Sequence, residues 1–425
     1  MPQMLTTLLI LALMTAAFVT RRIPAFVAAW LGALALAFLG ILPMKSLFSG
    51  FSNPTLILFA GMFVIGDSLF QTGLAGALGN RAVRLLGNRE RPLLWATMIA
   101  AGVISTVASN TGTTAALLPV ILGMCRAAGI PASRQLMPMA FASGFGGFSA
   151  LIGTPPNMIL SQALADSGRP AFGFFEFAWV GIPMAIAGMA FMDFARRWLP
   201  AEGGKADAAP AEVADAAGQR PSRLKMGICA AILTGVVGVM VFGGDRIPLE
   251  AAAVAGAALC VVTGCMTGKQ ALAAVEWDTI LLFGGMFAVA EAMQAAGVSA
   301  LLGNAMVHAL GGHPQAWLVV AVPLVCTMAL GTVLSNTACA VLMAPVGLAL
   351  TGEIGANPQP ILMAIAVAAS CSFLTPMGTP PNLLVWEPGG YRFSDYVKVG
   401  AGLSLVCLIV AVIIIPWHWP VFGAG

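Results

Sequence analysis

Ser109-Asn110-Thr111 is followed 44 residues on (109 to 153) by Gly153-Thr154-Pro155-Pro156-Asn157. The arrangement recurs in Ser335-Asn336-Thr337, followed 43 residues on (335 to 378) by Gly378-Thr379-Pro380-Pro381-Asn382. These residue types bind rather than react. Serine, threonine and asparagine offer donors and acceptors at short reach. Proline lacks an N–H and pushes the preceding residue out of helical geometry, so each copy must break a helix. Glycine lets backbone come close to a ligand. The N-terminal end of a broken helix, with free N–H groups and partial positive charge, suits an anion. Freed carbonyls and C-terminal ends suit a small hard cation such as Na+. No Lys or Arg stands within either motif. An anion there would be held by dipoles, hydroxyls, amides and co-bound cations, which favours release as well as binding. One Ser-Asn-Thr alone reads most simply as a cap or a polar packing cluster. Two copies, each followed by GTPPN, read as a paired binding site.

The sequence around these motifs is strongly apolar. Hydrophobic residues make up 59% of the 425 residues and charged residues 9%, against about 25% charged in an ordinary globular domain. That composition predicts an all-α polytopic protein of the lipid bilayer, because polar breaks persist inside a membrane only where they are buried or line a cavity. A net charge of +3 is too small, and too confined to loops, for nucleic acid. The eight cysteines form no CxxC pair and read as small buried apolar residues. With no HExxH and only three histidines, a membrane-embedded enzyme is disfavoured. The first apolar stretch lacks a basic leading region and ends at Arg21-Arg22, so it reads as a span rather than a cleaved leader. Trp417 and Trp419 read as interfacial anchors.

Stretches long enough to cross a bilayer fall near 4–20, 23–42, 55–73, 177–199, 225–242, 247–266, 278–297 and 397–415, with broken spans at 135–165 and 359–386. Segments 92–125 and 314–350 carry Ser-Asn-Thr at their centres and read as re-entrant hairpins. Charge placement supports that reading. With both termini outside, only Lys45, Arg169 and Arg246 of the 20 basic residues lie outside. Reading either hairpin as a full span would flip every later loop. The halves also align beyond the motifs, Thr55–Phe63 with Thr279–Phe287 and Gly73–Asn80 with Gly297–Asn304. Five spans and one hairpin per half predict two inverted repeats, 1–199 and 224–425, joined by a cytoplasmic linker at 200–223 rich in Ala, Gly and Pro. The two hairpin tips would then meet near the midplane.

At the paired Ser-Asn-Thr and GTPPN elements the chain resembles the divalent anion/sodium symporter family of dicarboxylate, tricarboxylate and sulfate carriers, from residue 4 to 419. The resemblance implies a homodimeric elevator carrier in a bacterial inner membrane. Its scaffold would be 1–91 and 224–313, and its moving transport domain 92–199 and 314–425. It implies one Na+ at Ser105, Ser109, Asn110 and Gly153, and a second at Asn336 with backbone near Leu334 and Gly378. Substrate carboxylates would meet Asn110, Thr111, Asn336, Thr337, Thr379 and Pro380. Ser105 and Ser109 are four apart, so on one helix their hydroxyls share a face. The family often has a hydroxyl four residues before the second Ser-Asn-Thr. Here that position is Gly331, and the adjacent Thr332 would face elsewhere on a regular helix. The family's common extra first span is also missing, in keeping with an outside N-terminus.

Asp67 and Glu291 occupy equivalent repeat positions. Intramembrane carboxylates are functional candidates by default, but these fall in the implied scaffold, where packing or a dimer interface accounts for them. His308 and His313 read as solvated loop residues, and Asp193 as a local ion pair with Arg196 and Arg197. The leading expectation is Na+-coupled symport of a small C4-dicarboxylate-like dianion, with an anion exchanger or a sulfate or citrate carrier as variants. A cation/proton antiporter or arsenite exporter would centre on membrane carboxylates instead, and a channel would not need two paired breaks.

Overall fold

A computed structural model describes residues 2–20, 22–86, 89–200, 222–243, 246–311 and 315–423. Among the described residues the chain is helical, with no strand. The first half runs α1 (Pro2–Thr20), α2 (Ala25–Phe38), α3 (Pro54–Gln71), α4 (Leu74–Leu86), α5 (Glu90–Ser105), α6 (Asn110–Ala128), α7 (Ser133–Gly147), α8 (Pro155–Asp166) and α9 (Ala178–Ala195). The second runs α10 (Arg223–Phe242), α11 (Leu249–Val262), α12 (Gly268–Ala274), α13 (Trp277–Ala295), α14 (Val298–Leu310), α15 (Ala316–Gly331), α16 (Asn336–Ile354), α17 (Pro358–Ser370), α18 (Pro380–Gly389) and α19 (Phe393–His418). Seven single helices are long and apolar enough to cross a bilayer, and α12 with α13, bent by 47°, makes an eighth. The broken spans are pairs of shorter helices, α7 with α8 and α17 with α18. The linker expected at 200–223 falls almost wholly at 201–221, outside the described residues.

The halves exchange partners. Helix α2 packs on α13, while α11 packs on α3; α8 packs on α17, while α18 packs on α7. Local geometry repeats as well. Helices α6 and α16 both end on a left-handed glycine, Gly129 at φ 65° and Gly355 at φ 62°. An aromatic cluster ties the halves together, with Phe373 at 5.1 Å from Phe141 and 5.5 Å from Phe145, and Phe141 at 6.0 Å from Tyr396, between ring centroids.

Leu5, Leu9 and Leu13 on one face of α1 are 60–70% exposed, and Phe242 and Val262 are more exposed still. An apolar face of that kind needs lipid beside it. Seven of the eight cysteines are buried and all are free, as expected of small apolar residues. Three readings change. Helices α4 and α14 follow α3 and α13 as separate elements, and α14 contains His308, an exposed helical residue rather than a loop one; His313 lies outside the described residues. Trp417 is exposed, but Trp419 is buried, and its ring N–H donates to Glu176 at 2.8 Å. Asp193 pairs with Arg196, and also with Arg91 at 2.6 Å, joining α9 to α5.

Candidate functional site

Helix α5 stops at Ser105 and α6 starts at Asn110, so the first Ser-Asn-Thr forms a helix N-terminus inside the protein. Ser109 is the N-cap. Its backbone is extended (φ −64°, ψ 142°) and its hydroxyl accepts the Gly112 N–H at 3.1 Å. Ser335 caps α16 in the same way, at φ −67° and ψ 154°, accepting the Ala338 N–H at 3.3 Å. Thr113 and Cys339 donate to the Ser109 and Ser335 carbonyls. The N–H groups of Asn110, Thr111, Asn336 and Thr337 occupy the first two helical positions, where no partner exists within the helix. None of the four donates to another described residue.

Ser105 and Ser109 therefore do not share one helix face. The chain leaves α5 between them, and the extended Ser109 caps the next helix instead. Ser105 remains connected to the tip, because its hydroxyl lies 2.5 Å from Asn110 Oδ1. That hydroxyl donates to the amide oxygen and so bridges the helix break.

The two GTPPN elements are near copies in three dimensions. Thr154 (φ −143°, ψ 145°) and Thr379 (φ −142°, ψ 148°) precede α8 and α18, each with proline at the first two helical positions. Those prolines remove the two donors that the first helical positions normally offer, so α8 and α18 present a dipole end with fewer N–H groups. The amide donors come instead from α6 and α16. Asn157 holds the first break through a 2.8 Å bond to the Ala150 carbonyl, and Asn382 holds the second through bonds to the Ser372 and Thr375 carbonyls at 3.1 and 3.2 Å. Close approach needs glycine here: a Cβ on Gly153 would stand 2.1 Å from the Gly147 carbonyl oxygen.

All four elements meet around one cavity of about 330 Å3, within the range of about 300–1,000 Å3 usual for small-molecule sites. Asn110, Thr111, Asn336, Thr337, Thr379, Pro380, Ser109, Gly153 and Gly378 all line it. Ser105 and Leu334 are buried and stand behind the lining. Thr154, the partner of Thr379, also lines it and was not among the residues picked from sequence; doubling each candidate across the repeat would have found it. Phe26, Phe59 and Phe63 form an apolar wall, and Glu276 and Asp278 stand at its margin. No Lys or Arg lines it. Asp67 and Glu291 lie elsewhere, half-buried, with Gln71 donating to Asp67 at 3.1 Å and Ser49 lying 3.4 Å from Glu291.

The family model described as Citrate transporter matches residues 15–345 and 314–423. The chain belongs to the citrate transporter family. Relatives of this family member include the uncharacterized transporter YfbS of Escherichia coli, 23% identical across 98% of this chain and 99% of that protein. The sodium-dependent high-affinity dicarboxylate transporter 3 of Caenorhabditis elegans is 23% identical across 93% and 80%. The sodium-dependent dicarboxylate transporter SdcS of Staphylococcus saprophyticus is 22% identical across 94% and 83%. The fold is shared with the YdaH transporter of Alcanivorax borkumensis, at a TM-score of 0.65 and 15% identity, over 98% of this chain and 99% of that one. It is also shared with MtrF of Neisseria gonorrhoeae, at 0.59 and 12%, over 100% and 96%. The protein is a membrane transporter, not an enzyme, as its composition and motifs led one to expect.

Proposed function

We propose that the protein carries a small divalent organic anion of the C4-dicarboxylate class across a bacterial inner membrane together with Na+. One observation carries this reading: two capped helix N-termini, each with two unpaired amide N–H groups, face one cavity that no Lys or Arg lines. Two carboxylates spaced by a short chain match two donor ends better than a single anionic group does. Asn110, Thr111, Asn336, Thr337, Thr379 and Pro380 contact the substrate in this account, and Thr154 joins them. Sodium supplies the positive charge that the cavity walls lack. Ser105, Ser109, Asn110 and Gly153 surround one ion; Asn336, Gly378 and the backbone near Leu334 surround the other. Names of relatives that specify sodium-dependent dicarboxylate transport support the same coupling.

Transport follows an elevator scheme in this account. The reciprocal packing of the halves supports inverted repeats, with 1–91 and 224–313 as the scaffold of a homodimer and 92–199 and 314–425 as the moving domain. The cavity reaches Pro24–Phe26 and Glu276–Thr279, which charge placement assigns to the cytoplasmic side. The conformation is accordingly inward-facing. A second cavity, of about 360 Å3 and lined by Asn53, Asp166 and Glu291, occupies the opposite side. Uptake of radiolabelled succinate into proteoliposomes tests the reading, with an inward Na+ gradient compared against choline. Uptake that follows the Na+ gradient and saturates supports it; uptake driven only by internal dicarboxylate would replace symport with exchange.

A further inference from the structure

We infer that Ser372 is a ligand of the second cation site, taking over the hydroxyl that Gly331 does not supply. The inference rests on the sodium-coupled reading above and assigns a residue that neither the motifs nor the family resemblance picks out. Two positions of the repeat have exchanged their residues. Ser105 stands four residues before Ser109, and Gly331 four before Ser335. Six residues before the GTPPN glycine the order is reversed, with Gly147 before Gly153 and Ser372 before Gly378. Each half thus has one serine and one glycine at this corner.

The geometry explains why one serine suffices. In the first half the Ser105 hydroxyl lies 2.5 Å from Asn110 Oδ1, and a Cβ on Gly147 would stand 2.4 Å from that same oxygen. The corner admits no second side chain. In the second half the Ser372 hydroxyl lies 2.9 Å from Asn336 Oδ1, the counterpart of Asn110 Oδ1, and 3.2 Å from the Gly331 carbonyl. The atom nearest to a Cβ on Gly331 would be Ser372 Oγ itself, at 3.4 Å. The two serines approach the equivalent asparagine from different segments and deliver the same group to it.

Ser372 is also placed as a ligand rather than as packing. Its side chain is buried, and Asn382 fixes its carbonyl at 3.1 Å. Three oxygens converge there: Ser372 Oγ, Asn336 Oδ1 and the Gly331 carbonyl. One hydroxyl proton serves all three, because a serine has a single O–H and the other two only accept. A cluster of hard oxygens short of protons is completed by a small cation. The site beside Asn336 therefore has a hydroxyl, an amide oxygen and a carbonyl, against the hydroxyl and amide oxygen seen beside Asn110.

The test measures equilibrium binding of 22Na+ to the purified full-length protein without substrate, beside its melting temperature in choline and in Na+. Wild type is expected to bind two ions. Ser372→Ala is expected to weaken one of them by roughly tenfold or more and leave the other unchanged, with Ser105→Ala weakening the other. Ser372→Thr keeps the hydroxyl and guards against a folding defect. The double variant Ser372→Gly/Gly331→Ser rebuilds the first half's arrangement in the second and is expected to restore binding. Two ions bound normally by Ser372→Ala would overturn this inference while leaving sodium coupling intact. No 22Na+ binding by wild type would overturn sodium coupling and this inference together.

Discussion

Replacing Gly153 by alanine perturbs the first proposed ion site through backbone alone. The new Cβ would stand 2.1 Å from the Gly147 carbonyl oxygen and 2.8 Å from its carbon. To reach ordinary van der Waals contact, the segment before α8 must retreat by at least about 1.3 Å from the end of α7. Overpacking of that size costs about 1–3 kcal/mol. With about 2 kcal/mol expressed as a displaced Gly153, cation affinity falls roughly 30-fold, at about 1.4 kcal/mol per tenfold. The repeat supplies a graded control. On Gly378 the nearest atoms would be Ser372 Cβ at 2.8 Å and its carbonyl oxygen at 3.2 Å, a milder overlap than at Gly153. On Gly123, exposed within α6, a Cβ would meet nothing within 4 Å, and alanine should stabilise the helix by about 0.5–1 kcal/mol. The Na+ dependence of succinate uptake and the melting temperature are measured for all three variants. The expected order of damage is Gly153→Ala, then Gly378→Ala, with Gly123→Ala unharmed. A Gly153→Ala protein with wild-type melting and wild-type Na+ dependence would refute the reasoning, since the close approach would then constrain nothing.

Tyr396 donates from its buried hydroxyl to the Asn382 carbonyl at 2.8 Å, so Tyr396→Phe should cost about 1 kcal/mol, measurable as reduced thermal stability with dicarboxylate specificity retained. Asp193 is buried and accepts from Arg91 and Arg196. Asp193→Asn should lose roughly 1–2 kcal/mol, less than a fully buried pair would, because Arg91 is mostly exposed; melting temperature across a salt series checks both the size and the screening. Glu276 and Asp278 at the cavity margin repel an approaching dianion. Because that margin opens to the cytoplasmic side, Glu276→Gln/Asp278→Asn should raise the initial rate of succinate efflux from loaded right-side-out proteoliposomes about two- to threefold at low ionic strength and lose the advantage as salt rises, a comparison that efflux at two salt concentrations makes directly.

Much of this was legible in the sequence because it rests on residues with a strong local meaning. Ser109 and Ser335 cap helices since their hydroxyls satisfy first-turn N–H groups, and the double prolines fix where α8 and α18 begin. The Thr55–Phe63 and Thr279–Phe287 match pointed to a repeat, and both segments lie in helices, α3 and α13. What escaped detection depends on where the chain goes after a break. Spacing of four put Ser105 and Ser109 on one helical face, whereas the extended Ser109 starts a new helix. Ser372, proposed above in place of the hydroxyl absent at Gly331, was not picked because it reaches Asn336 from 36 residues further along the chain. Trp419 passed for an interfacial anchor because its partner Glu176 is 243 residues away in sequence. Local rules read each helix end; which ends converge is set by the packing of the two halves.

The central claim is that the two Ser-Asn-Thr helix ends form one binding site. The most direct measurement is Na+-gradient-driven uptake of radiolabelled succinate into proteoliposomes by wild type, Asn110→Ala, Asn336→Ala and the double variant, each confirmed folded by its melting curve. Loss in either single variant, with no residual uptake in the double, is the expected result. Folded double-variant protein that still takes up succinate in a Na+-dependent way would contradict the account.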